Sequence, residues 1–176
     1  MRNRAMAYVI SRRGALFAAA SLSVMACGRA GATTNASADP NEARFAAAPV
    51  RRLTDAQWRA RLPASSYGVL RHENTERPGS SPLLNEHRNG SFVCIACGLP
   101  LFRSEWKYES GTGWPSFFRA IDANLGRKAD FDLAMERTEY HCAQCLGHQG
   151  HLFNDGPQPT GLRYCNNGVA LRFVPA

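Results

Sequence analysis

The chain has 176 residues, 44% of them hydrophobic, with 21 Lys and Arg against 14 Asp and Glu for a formal net charge of +7. That length suits one domain with a sizeable core. The basic excess argues against a nucleic-acid partner: Arg2, Arg4, Arg12 and Arg13 precede Cys27 with no acid among them, subtracting these four leaves +3, and no basic cluster stands in the remainder.

In chain order, the four arginines lead into an uncharged apolar run from Ala15 to Ala26, the layout of a secretory signal peptide. The run is shorter than the roughly 20 apolar residues of a membrane-spanning helix. Ser11-Arg12-Arg13-Gly14-Ala15-Leu16 resembles a twin-arginine export signal. Val24-Met25-Ala26-Cys27 resembles a bacterial lipobox, with Met an unusual residue before the small one; a lipid on Cys27 would be the only tie to a membrane. Residues 1–27 are thus assigned to export into the periplasm or cell envelope, with cleavage but no lipid as the alternative. Residues 28–50 are rich in Ala, Thr, Ser and Asn, carry Pro40 and Pro49, and lack the large apolar side chains needed to fold alone. They read as a flexible tether, ahead of a domain over 51–176.

Thr54 heads an N-cap pattern with Gln57 three residues on, so a helix is predicted with Leu53, Trp58 and Leu62 on its apolar face until Pro63 stops it. A second short helix is predicted over Ser66 to Glu73 with Tyr67 and Leu70 inward, then a loop over Pro78 to Pro82. From Gly90 the pattern turns to strands. They run over Ser91 to Cys97, ending at Gly98 and followed by Leu101-Phe102, then over Phe131 to Met135, Arg137 to His141, and Val169 to Val174. In the last, the alternation Val169, Leu171, Phe173 suits one buried sheet face. Helices first and short strands after predict a small, mainly β antiparallel domain with helical decoration.

Cys94-x-x-Cys97 and Cys142-x-x-Cys145 each put two sulfurs on one tight turn, and two such knuckles make a closed tetrahedral site of the kind Zn2+ prefers. The 44 residues between them mean that the site would join distant segments and contribute directly to folding. Disulfides are the competing reading for an exported chain. Zinc is favoured because the knuckles are identical, and because a chain folded before export loads its metal in a reducing cytoplasm. A thioredoxin-like redox pair is disfavoured by the duplication and by the lack of a βαβ pattern.

The stretch from His148 to Asn167, HQGHLFNDGPQPTGLRYCNN, holds two histidines and Cys165, the one cysteine of the mature region outside a Cys-x-x-Cys pair. A thiol reacts as thiolate, and Arg163, His148 and His151 are candidates to lower its pKa from the free value of about 8.5. Gly156, Pro157, Pro159 and Gly161 read as tight turns able to fold Cys165 back beside the imidazoles. A buried structural cysteine with hydrogen-bonding histidines is the alternative.

Gly111-Thr112-Gly113-Trp114-Pro115-Ser116-Phe117, His148-x-Gly150-His151-x-Phe153, Asp155-Gly156-Pro157 and Pro159-Thr160-Gly161-x-Arg163-Tyr164-Cys165-x-Asn167, in this order, resemble the peptide methionine-R-sulfoxide reductases. The resemblance covers roughly residues 53–173, both knuckles included. It implies two antiparallel sheets with short N-terminal helices, and one structural Zn2+ on Cys94, Cys97, Cys142 and Cys145. It further implies Cys165 as nucleophile, Trp114 against the substrate methyl group, Arg163 and Phe117 in the substrate-binding set, and His148, His151 and Asn167 around the sulfoxide oxygen. The chemistry agrees, because reducing a sulfoxide needs a soft nucleophile at sulfur and a proton donor at oxygen. An indole gives the methyl an apolar wall, and the cysteine is left as sulfenic acid. The expected partners are oxidised envelope proteins carrying methionine-R-sulfoxide and a thiol reductant, with the enzyme a monomer. One departure matters: Thr112 stands where many members carry a resolving cysteine, so an external thiol, thioredoxin-like or small, is expected to reduce Cys165. A zinc-stabilised binding module of the same fold without turnover is the alternative, and it has no need of Trp114, His148, His151 and Cys165 together.

Overall fold

The computed structural model describes residues 39–131 and 136–176. The export signal, Cys27, residues 28–38 of the expected tether, and the strand expected to Met135, Phe131 excepted, lie outside them. None of the helices among the described residues is long and apolar enough to cross a membrane. Three short helices come first: α1 (Pro40–Ala43), α2 (Asp55–Arg61) and α3 (Ala64–His72). Thr54 and Gln57 close a capping box at the start of α2, with Gln57 Oε1 accepting from Thr54 N at 2.8 Å and Thr54 Oγ1 accepting from Gln57 N at 3.3 Å. Leu62 is already extended ahead of Pro63. α3 starts two residues earlier than expected and ends where Glu73 turns left-handed at φ 57°.

Among the described residues nine strands follow, all paired antiparallel: β1 (Gly90–Cys94), β2 (Pro100–Arg103), β3 (Lys107–Tyr108), β4 (Ser116–Phe117), β5 (Leu125–Asp130), β6 (Arg137–Cys142), β7 (His148–Phe153), β8 (Arg163–Asn166) and β9 (Leu171–Pro175). They form a three-stranded sheet, β2-β1-β9, and a six-stranded sheet, β3-β4-β8-β7-β6-β5. The expected mainly β fold of two antiparallel sheets with short N-terminal helices is the one present. The core lies between the sheets. Phe92 and Phe102 of the small sheet meet Phe117, Tyr140 and Tyr164 of the large one, with Phe102 and Phe117 stacked at 4.1 Å between ring centroids.

Strand alternation gives the large sheet two unlike faces. On β8, Tyr164 and Asn166 point into the core while Arg163 and Cys165 point outward, and register places Cys165 opposite His151 on β7 and Ser116 on β4. Asp130, Arg137 and Glu139 of the neighbouring strands join that outer face through the pairs Asp130↔Arg137 and Glu139↔His151.

Two expectations are corrected. Residues 39–50 are not a tether but pack on the domain. Asn41 donates to the carbonyls of Asp122 and Leu125 at 3.0 Å each, Arg44 Nη2 donates to Ala123 O at 2.6 Å, and Glu42 meets His141 at 2.8 Å. Polar contacts secure most of this segment, and Val50 at its end packs against the core. Val169 lies in a single 3-10 turn (Gly168–Ala170), and only from Leu171 does the chain pair with β1.

Candidate active site

Cys165 sits half-buried on the outer face of β8, on the floor of a pocket of about 130 Å³ lined by Thr75, Trp114, Arg137, His151, Phe153 and Asn167 among others. A bulge in the β6/β7 pairing skips Gln149, so that His148 pairs with His141 and Gly150 with Tyr140. This extra residue turns both histidines to one face, their rings 5.3 Å apart. They are not equivalent. His151 lines the pocket, while His148 is 2% exposed with Nδ1 2.9 Å from Glu139 Oε1. Burial alone would raise the Glu139 carboxyl, but the bonds from His148 and Lys128 outweigh it and hold the group below the usual range. His151 Nε2 lies 2.7 Å from Asp130 Oδ2, and Arg137 Nη2 reaches the same oxygen at 2.6 Å.

The pocket wall hangs on Glu76, in the loop after α3. Its carbonyl accepts the indole N–H of Trp114 at 3.1 Å, its own N–H donates to Asn167 Oδ1 at 3.0 Å, and its carboxylate accepts the backbone N–H groups of Gly168 and Val169. The loop is held tight against the Trp114 turn because Gly113, at φ +90°, leaves no room for a side chain: a Cβ there would lie 2.8 Å from Pro78 Cβ. Asn167 Nδ2 donates to Gln149 O at 3.1 Å, so that its amide is engaged at both ends while it lines the pocket.

Burial pushes the Cys165 thiol up; the Arg163 guanidinium and a hydrogen bond from Thr112 work against this. Thr112 is in turn tied to Ser110 Oγ at 2.8 Å, and Ser110 to Ser116 Oγ at 2.7 Å, a hydroxyl chain beside the sulfur. Arg163 donates twice to Asp155 at 2.8 Å and lies 4.1 Å over the Phe153 ring, placing its charge beside Cys165 without lining the pocket. Phe117, expected in the substrate-binding set, is 0% exposed and stacked in the core, because alternation turns it away from its neighbour Ser116.

Across the core, Cys94, Cys97, Cys142 and Cys145 bring their four sulfurs within 4.8 Å of one another. The contacts of 3.6 Å (Cys94 to Cys145) and 3.5 Å (Cys97 to Cys142) are close to the ~3.8 Å edge of a tetrahedron with 2.3 Å metal–sulfur bonds, and far from a 2.05 Å disulfide. Both knuckles fold alike: Gly98 N donates to Cys94 O and Leu146 N to Cys142 O, each at 2.8 Å, and both donors sit at positive φ. Hydrogen bonds within the quartet, led by those of Cys142, hold Cys97 far below the ordinary thiol range and push Cys94 far above it. Four sulfurs this close could all be thiolates only around a cation, and the geometry fits one.

Cys165, His151, Trp114 and Asn167 are therefore brought together, with His148 behind His151. Asp130, Arg137, Glu139 and Glu76 were missed, since their only sequence signal is charge at strand or loop positions. The SelR domain family matches residues 62–175. The peptide methionine sulfoxide reductase MsrB of Thiobacillus denitrificans is 50% identical over 123 residues, covering 69% of this chain and 93% of that protein. Those of Herminiimonas arsenicoxydans (50% over 121 residues, 68% of this chain and 88% of the relative) and Leptospira interrogans (46% over 121, 68% and 92%) are similar over comparable lengths. With its domain matched almost end to end and its cysteine, indole and imidazole gathered in one pocket, this chain belongs to the peptide methionine-R-sulfoxide reductase family.

Proposed function

We propose that the protein reduces the R epimer of peptide-bound methionine sulfoxide to methionine at the expense of thiols, with Cys165 as the attacking sulfur. The observation that carries this is Cys165 on the pocket floor, directly across a strand pair from His151 and beneath the Trp114 wall. Burial holds the His151 imidazole below its usual range and the Cys165 thiol above its own, so that near neutral pH the resting proton stays on sulfur. When the sulfoxide enters with its methyl on the indole, the Cys165 proton passes through His151 to the sulfoxide oxygen while the cysteine sulfur attacks the substrate sulfur. The oxygen leaves with the cysteine. Methionine is released, reduced by two electrons, and Cys165 becomes S–OH.

Thr112 has no thiol, and the four knuckle cysteines are held apart in their own cluster. An external thiol therefore condenses with the sulfenic acid, releasing water and forming a mixed disulfide, and a second thiol frees Cys165 as the external pair becomes a disulfide. Zn2+ is the ion assigned to the knuckles, where it supplies folding free energy. The Arg12-Arg13 pair and the apolar run before Cys27 support export, and with it repair of oxidised envelope proteins. Incubation of the zinc-loaded protein with dithiothreitol and each epimer tests the reading. Reduction of R alone, abolished in Cys165→Ser, supports it; reduction of neither epimer, or activity retained in Cys165→Ser, overturns it.

A further inference from the structure

The outer face of the large sheet repeats one arrangement twice: an imidazole, a carboxylate and a cation in a row. In the first, His148 Nδ1 meets Glu139, whose other oxygen is 2.8 Å from Lys128 Nζ. In the second, His151 Nε2 meets Asp130, and Arg137 takes the same carboxylate oxygen. Only the second touches the pocket, through both His151 and Arg137. A carboxylate accepts and does not donate, so the Nε2 bonded to it carries a hydrogen and Nδ1 is left as the ring atom that gains or loses a proton.

We propose that Asp130 is a positioning residue for His151, with Arg137 as its counter-cation: the carboxylate fixes the Nε2–H tautomer, making Nδ1 the atom that carries the proton from Cys165 to the sulfoxide oxygen. This rests on the reading of His151 as proton carrier. Arg137 keeps the carboxylate ionised as its neighbourhood empties of water, so that the proton goes to substrate and not to Asp130. Among the described residues, the other charged or titratable groups facing His151 are Glu139, its partner across β6, His148 on its own strand, and Cys165 and Arg163 on β8. Burial lowers the affinity of His151 for a proton, Asp130 raises it, and Arg137 lowers it further. The two neighbours thus act on the imidazole with opposite sign.

The full chain loaded with Zn2+ is examined by 15N NMR of its histidine rings and by steady-state turnover of the R sulfoxide with dithiothreitol. Neutral His151 in the wild type should show the Nε2–H tautomer; the Nδ1–H tautomer overturns the proposal without any variant. The His151 titration midpoint should move down in Asp130→Asn and up in Arg137→Gln, and shifts of one sign or none overturn it. Asp130→Ala should lower kcat by about 10²-fold with KM within about twofold, and Asp130→Asn, which still offers an acceptor, should recover part of the loss. Wild-type kcat in Asp130→Ala sinks the positioning role alone, whereas a wild-type chain that turns over neither epimer sinks the functional reading beneath it.

Discussion

Gly150 sets the spacing of β7 and β8, which hold His151 and Cys165, and Gly150→Ala tests that directly. The residue faces Asn166 across the β7/β8 pair, next to the His151↔Cys165 pair. A Cβ built on it would lie 1.9 Å from Cys165 O, 3.0 Å from Cys165 C and 3.2 Å from Asn166 Cα, where ordinary contact begins at 3.4 Å. All three obstacles are backbone, so no rotamer change relieves them and the strands must part by roughly 1.5 Å, the difference between 3.4 and 1.9 Å. Overpacking strain of about 1–3 kcal/mol and the weakening of one or two ladder hydrogen bonds at about 1 kcal/mol each outweigh the 0.5–1 kcal/mol or so that alanine recovers in backbone entropy. The net loss is about 2–4 kcal/mol. A displacement near 1 Å at the reacting atoms can lower turnover about 10²-fold, and kcat should fall by that order. Urea unfolding and turnover with dithiothreitol read the two effects. Gly161→Ala is the comparison, at φ +69° with nothing within 4 Å of its Cβ: it should cost about 1–2 kcal/mol of left-handed strain and leave kcat within about twofold. If Gly150→Ala behaved like Gly161→Ala, the strand spacing would not be what places Cys165 against His151.

Further outcomes follow from the same contacts. Cys94→Ser should lose metal and fold together by elemental analysis and circular dichroism, while Cys165→Ser keeps one zinc per chain. Glu76→Ala orphans the N–H groups of Gly168 and Val169 and loosens the Trp114 anchor; a loss of about 2–4 kcal/mol and a KM raised roughly tenfold, with kcat changed less, are expected from unfolding and steady-state kinetics. Because the Thr112 hydrogen bond lowers the Cys165 thiol, Thr112→Val should move the midpoint of iodoacetamide alkylation against pH upward; an unmoved midpoint would remove Thr112 from the thiol's surroundings. Glu139 is held below its unfolded value of about 4.3, so its contribution to stability is complete above that pH and lost as pH falls through the folded value. The urea midpoint of the wild type should fall on acidification below about pH 4.3, and less steeply in Glu139→Gln.

What could be read from the sequence follows from where the physical signal is local. The capping box at Thr54, the stop at Pro63 and the two knuckles are each made by residues a few positions apart, and all are where the sequence puts them. β7 escaped because its outer positions are histidines and its inner ones include Gly150, so that no apolar alternation marks it. β3 and β4 are two residues long and carry no period at all. Phe117 belongs to the core although its motif neighbour Ser116 faces Cys165, because in a strand neighbours face opposite ways. Asp130 and Glu139 reach the histidines only through register, across strands whose contacting residues lie 9 to 21 positions apart in the chain.

Register also links the four-sulfur cluster to a pocket it does not line. The two imidazoles share a face only because Gln149 is bulged out of the β6/β7 ladder, and a bulge needs the displaced residue held. Gln149 is fully buried, and its Nε2 donates to Cys94 Sγ at 3.5 Å while its carbonyl accepts both the backbone and side-chain N–H groups of Asn167. Without a cation the quartet's sulfurs cannot all be thiolates, and the acceptor for Gln149 weakens. The bulge is thus gripped from the core by the cluster and from the pocket by Asn167, so the alignment of His148 with His151 depends on sulfurs that do not line the pocket.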